Sequence, residues 1–143
     1  MYKELKSPVA VQLELTTRCN HKCIHCYNHW RKDSVQNITL SENDLRQIID
    51  NLRENECPNL LITGGEPMLN KKVLFRVLER AKKGGITTSV NSTLVTLTEN
   101  DANRFKELGV STVLTSILGP QYATLCKYVS VYMIHTREEE NVL

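Results

Sequence analysis

The sequence predicts an α/β fold on a parallel sheet, and two observations carry that prediction. Strand-like apolar runs alternate with amphipathic helix-like runs through four units, and most of the helical runs carry capping residues at the start and glycines at the stop. Strands joined through helices run parallel. Such sheets place ligands at the carboxyl ends of their strands, whether the sheet stays open or rolls into a barrel. The 143 residues suit one domain, with no low-complexity tract and no solenoid-type repeat.

Taken in order, Val9, Val11, Leu13 and Leu15 alternate with Ala10, Gln12 and Glu14, the period of a strand with one apolar face. A parallel strand covered on both sides is normally apolar throughout. The polar set therefore suggests a face toward a wet or ligand-filled lumen, or a solvated edge. Ser41-Glu42-Asn43-Asp44 resembles a capping box with Asp in place of Glu or Gln. Leu45, Ile48, Ile49 and Leu52 behind it form one helical stripe. Leu60 to Thr63 is a buried-strand candidate stopped by Gly64-Gly65. The second helix is expected from Asn70, with Leu74, Val77, Leu78 and Ala81 inward and Gly84-Gly85 as its stop. Ile86 to Val90 reads as a third strand, and Thr98 to Asp101 caps a third helix carrying Ala102, Phe105 and Leu108. Gly109 ends that helix, and Val110 to Ile117 reads as the fourth strand.

Composition excludes several classes. Eighteen basic against sixteen acidic residues leave +2, so charge indicates neither a nucleic-acid partner nor a membrane surface. No apolar run approaches bilayer length, and Met1 to Leu15 contains no signal-peptide core. A cytoplasmic location is the expectation. Three of the five cysteines and three of the four histidines lie between positions 19 and 29. That clustering fits metal chemistry better than a disulfide framework. Cys57 and Cys126 stand apart and read as buried structural thiols.

Cys19, Cys23 and Cys26 form C-x3-C-x2-C just after the first strand. Two centres fit three thiolates on one short loop. A zinc ion would take the sulfurs plus His21 or His29; a [4Fe–4S] cluster would take them on three irons and leave the fourth open. Gly64-Gly65-Glu66-Pro67 follows the second strand. Its glycines permit close main-chain approach, Glu66 offers a charge suited to an ammonium group, and Pro67 stiffens the exit. A parallel sheet puts this turn on the same rim as the cysteines.

These segments resemble the radical S-adenosylmethionine (radical SAM) superfamily. The cysteines match its C-x3-C-x-Φ-C motif, with His25 at the aromatic place, and Gly64 to Pro67 match its GGEP motif. Asn91-Ser92 resembles an Asn-Gly step after the third strand, and Ser116 to Pro120 resembles a Ser-x-Asp-Gly-Pro run in which Leu118 replaces Asp. The wording around the cysteines is most similar to the branch that modifies peptides and proteins.

The resemblance implies that Cys19, Cys23 and Cys26 hold a [4Fe–4S] cluster. Gly64, Gly65, Glu66 and Pro67 would receive the methionyl part of S-adenosylmethionine (SAM), with His25 near adenine and Asn91 and Ser116 near the rest. It implies reductive cleavage of SAM to a 5′-deoxyadenosyl radical that abstracts hydrogen, on a peptide in that branch. A flavodoxin- or ferredoxin-type electron donor is implied as partner; no catalytic side chain is assigned. The family core is a partial barrel of about six strand–helix units. About four are legible here, in residues 1–120, and residues 121–143 read as an irregular tail. The glycine-rich fifth-strand motif and the auxiliary-cluster domain have no match. The expectation is a chain truncated relative to the six-unit core, with a partner chain completing the barrel. The alternative is a non-catalytic zinc- or cluster-binding interaction module.

Overall fold

A computed structural model describes residues 5, 7–23, 26 and 38–115, together with the strand backbone of 130–133. Five strands form one sheet in sequence order: β1 (Ala10–Glu14), β2 (Asn59–Thr63), β3 (Thr87–Asn91), β4 (Val110–Thr115) and β5 (Ser130–Met133), each parallel to its neighbour. Three helices lie between the first four: α1 (Glu42–Glu54), α2 (Lys71–Lys83) and α3 (Glu99–Leu108).

Local chemistry sets the helix boundaries. Ser41 caps α1 by accepting from the Asp44 amide, and the Asp44 carboxylate accepts from the Ser41 amide. The shorter Asp thus closes the box that Glu usually closes. Asn70 caps α2 through the Val73 amide. Thr98 and Asp101 repeat the capping box on α3, which stops at Gly109 with φ +73°, a left-handed conformation that glycine adopts without Cβ strain.

The helices form one layer on one sheet face. Helix α1 packs on α2 and α2 on α3. Leu45, Ile49, Leu74, Leu78 and Phe105 join Leu13, Leu60, Ile62, Val90 and Val113 in one core. Phe75 and Phe105 meet with centroids 5.5 Å apart. Burying each such side chain stabilises the fold by about 1.5–3 kcal/mol, which holds the helix layer against the sheet face. Val9, expected on the inner face, precedes β1 and is exposed.

The other face mixes polar residues with a few apolar ones. The register aligns Gln12, Leu61, Ser89, Thr112 and Ser130 across all five strands. Nearer the carboxyl ends it aligns Glu14 with Thr63, and Asn91 with Leu114 and Tyr132. Gln12 and Asn91 are exposed, as the alternation in β1 suggested.

Beyond the four strands read from the sequence, the sheet carries a fifth, β5, within the stretch expected to be an irregular tail. Thr112 to Thr115 pair with Ser130 to Met133, so β4 is an inner strand. The element is only four residues long, too short for periodicity to register. Its β-forming Val131 and Tyr132 suit the ladder they join.

Candidate functional site

The carboxyl ends of β1, β2 and β3 carry three loops that touch. The first contains the cysteines. Leu15 extends the ladder by donating to Thr63 O at 3.0 Å. Thr16 then bridges antiparallel to Thr39, their hydroxyls 2.9 Å apart. Thr17 N–H donates to Ile38 O at 2.9 Å, and Leu40 N–H to Leu15 O at 3.1 Å. The chain therefore leaves and re-enters the sheet edge through one narrow neck. Cys19, Cys23 and Cys26 lie beyond it as half-buried free thiols. The His21 amide is directed at Cys19 Sγ at 3.4 Å, and the His21 ring contacts Asn20 rather than a cysteine. Among the described residues, no three Cys, His, Asp or Glu side chains converge on one metal-ion position.

The second loop is the diglycine turn. Gly64 has φ +138°, and a Cβ there would lie 2.6 Å from Thr16 O; a Cβ on Gly65 would lie 1.7 Å from Arg18 O. Gly65 N–H donates to Thr16 O at 2.5 Å and Glu66 N–H to Arg18 O at 2.8 Å. The close approach that glycine permits is made here to the backbone leading into the cysteine loop. Any side chain at these positions would hold the two loops apart.

The third loop follows β3, and Glu66 joins it to the second. Its side chain is 1% exposed. Oε1 accepts from the Met68 amide at 2.9 Å and the Ser92 hydroxyl at 2.6 Å; Oε2 accepts from the Thr93 amide and hydroxyl, both at 2.7 Å. Four donors fill the acceptor sites of a carboxylate. Pro67 opens a 3₁₀ turn, Pro67–Asn70, that passes directly into α2. Further along the third loop, Lys71 Nζ donates to Thr96 O and to Asp101 Oδ2, both at 2.6 Å. Burial pushes the Asp101 carboxyl up, but hydrogen bonds from Lys71 and Thr98 outweigh it and hold it below its ordinary value. On the far side of the helices, the Arg80 guanidinium holds Asp50 below its ordinary value.

The structure brings Gly64, Gly65, Glu66 and the start of the cysteine loop together, as the sequence anticipated. Asn91 ends β3 with its side chain exposed on the face away from the helices. His25 and Ser116 fall outside the described residues, as does Cys126, while Cys57 is buried as expected. Sequence reading missed Thr16, Ser92 and Thr93. Only the weak Asn91-Ser92 match pointed near the last two.

A parallel α/β sheet with three cysteines and a diglycine turn on one carboxyl-end rim defines a narrow class of protein. The radical SAM superfamily model matches residues 13–138. The chain belongs to that superfamily, whose enzymes use a [4Fe–4S] cluster and SAM. Fe-coproporphyrin III synthase of Methanosarcina barkeri is 32% identical over 114 residues, covering 80% of this chain and 28% of that protein. GTP 3′,8-cyclase of Mannheimia succiniciproducens is 32% identical over 113 residues, covering 75% and 32%. The chain thus spans roughly a third of the length of these curated relatives. In fold it matches the crystal structure of BtrN in complex with AdoMet and 2-DOIA, with TM-score 0.71 and 14% identity, covering 93% of this chain and 58% of that one. No helix among the described residues is long and apolar enough to cross a membrane.

Proposed function

We propose that the chain is the cofactor-binding part of a radical SAM enzyme. In this reading Cys19, Cys23 and Cys26 hold three irons of a [4Fe–4S] cluster. The donor set fits: three free thiols stand half-buried beyond the Thr16–Thr39 neck. Thiolates on different irons need not converge on a single point, as ligands of one zinc ion must. When bound, the cluster and SAM supply one-electron cleavage of the sulfonium C–S bond, giving the radical that abstracts hydrogen.

The residues of the chain bind and orient. Gly64 and Gly65 bring the turn within hydrogen-bonding distance of Thr16 and Arg18, so the methionyl site and the cysteine loop are held as one unit. His25, Asn91 and Ser116 remain assigned to the adenosine side. The observation that carries the proposal is the pair of main-chain bonds, Gly65 to Thr16 and Glu66 to Arg18. A reduced flavodoxin- or ferredoxin-type protein would supply the electron. The relatives above are named for a porphyrin and a nucleotide rather than a peptide, so the proposal covers the step common to the superfamily.

Anaerobic reconstitution with iron and sulfide, then reduction with SAM present, tests it. The expected result is a brown protein that forms 5′-deoxyadenosine, with both properties lost in Cys23→Ala. A colourless protein holding one zinc per chain overturns the cluster assignment. A brown protein forming no 5′-deoxyadenosine overturns the catalytic one.

A further inference from the structure

We infer that Glu66 is a positioning residue: its buried carboxylate latches the diglycine turn to the loop after β3. The inference rests on the proposed SAM site and changes the role of one member. A carboxylate that paired with a ligand's ammonium would need a free lone pair facing the rim. Here Met68 N–H, Ser92 Oγ–H, Thr93 N–H and Thr93 Oγ1–H occupy both oxygens at 2.6–2.9 Å, and the side chain is 1% exposed. Recruiting Glu66 to a ligand would strip a buried charge of bonds it already has, a costly exchange.

The loop it grips is independently strained. Leu94 has φ +60°, a left-handed conformation unusual for a leucine. It is 3% exposed, and its amide donates to Ser92 Oγ at 3.0 Å. Such a conformation persists where its surroundings over-determine it. The surroundings are Glu66 at one end and Lys71 on Thr96 at the other. Ser92 stands where the family pattern has glycine, so this hydroxyl is a contribution of this chain. By fixing Ser92 and Thr93, the latch also sets where Asn91 ends β3 relative to the turn, spacing two contact points for one ligand.

The test separates charge from latch. Ser92→Ala with Thr93→Val removes two donors but leaves the Glu66 charge, whereas Thr93→Ser keeps the hydroxyl. In reconstituted protein, equilibrium dialysis with SAM should show the double variant at least about tenfold weaker and Thr93→Ser within about twofold of wild type. In the cofactor-free chain, amide exchange across residues 94–97 should quicken by at least about tenfold in the double variant and stay unchanged in Thr93→Ser. Should the double variant fail to fold, Thr93→Val alone carries the same comparison. The latch is overturned if exchange is unchanged, or if the double variant binds SAM like wild type while Glu66→Gln loses it. Wild-type protein that binds no SAM removes the proposed function instead, and the exchange measurement still decides the latch.

Discussion

Two carboxylates of this protein have similar numbers of donors and opposite circumstances. Asp50, on the outer surface of α1, takes three short bonds from Arg80. Glu66, at the sheet rim, takes four from Met68, Ser92 and Thr93 and is almost wholly buried. The outer pair replaces water with a guanidinium in a solvent that screens it, so little hangs on its geometry. The rim carboxylate has no water to fall back on. The Met68 and Ser92 donors it would lose are left buried, and each displacement moves two loops. Bond counts alone do not separate ornament from constraint; burial does.

The contrast can be broken most forcefully next to Glu66. Gly65→Ala sets a methyl group into the Arg18 carbonyl, and the backbone must move. We expect a loss of at least about 4 kcal/mol in urea unfolding, together with failure to take up iron. Glu66→Ala should follow, at roughly 3 kcal/mol, because four donors lose one acceptor; thermal unfolding of the cofactor-free chain measures it.

Asp101 occupies the middle ground. Its folded carboxyl titrates below the ordinary value of 3.8, so in acid the unfolded chain binds the proton more readily. Its contribution is fully present above that ordinary value and is lost as pH falls through the lowered one. Asp101→Asn should cost about 1 kcal/mol near neutral pH and flatten the acid limb of a stability–pH curve. At the small end, Arg76→Ala removes a pair with Glu42 whose side chains are 48% and 57% exposed. Its effect should stay within about 0.5 kcal/mol and shrink with added salt. A large effect there would undo the contrast.

The same distinction explains what could be read from the sequence. The capping boxes at Ser41 and Thr98 and the stop at Gly109 were legible because their partners lie within one turn of chain. The cysteine loop and diglycine turn were legible as short motifs, and their shared rim followed from parallel strands. The role of Glu66 was not, since Ser92 and Thr93 are 26 and 27 residues away and reach it only through the β2–β3 pairing. Its charge suggested a ligand; its burial and four donors are what the inferred latch rests on. The glycines were read in the right place, and their backbone contact with Thr16 and Arg18 is a further neighbour that no short motif names. Strand β5 escaped because four residues carry too little pattern, and its partner strand supplies the missing information.

The Thr16–Thr39 neck has a consequence for how such a chain can vary. Because residues 17–38 begin and end at one stapled point, the entropy of closing them depends only weakly on what lies between, about 0.6 kcal/mol for each doubling in length. The thiol-bearing excursion behaves as a cartridge seated in the sheet. Its length beyond Cys26 can change at little entropic cost while the Thr16–Thr39 staple stays in place.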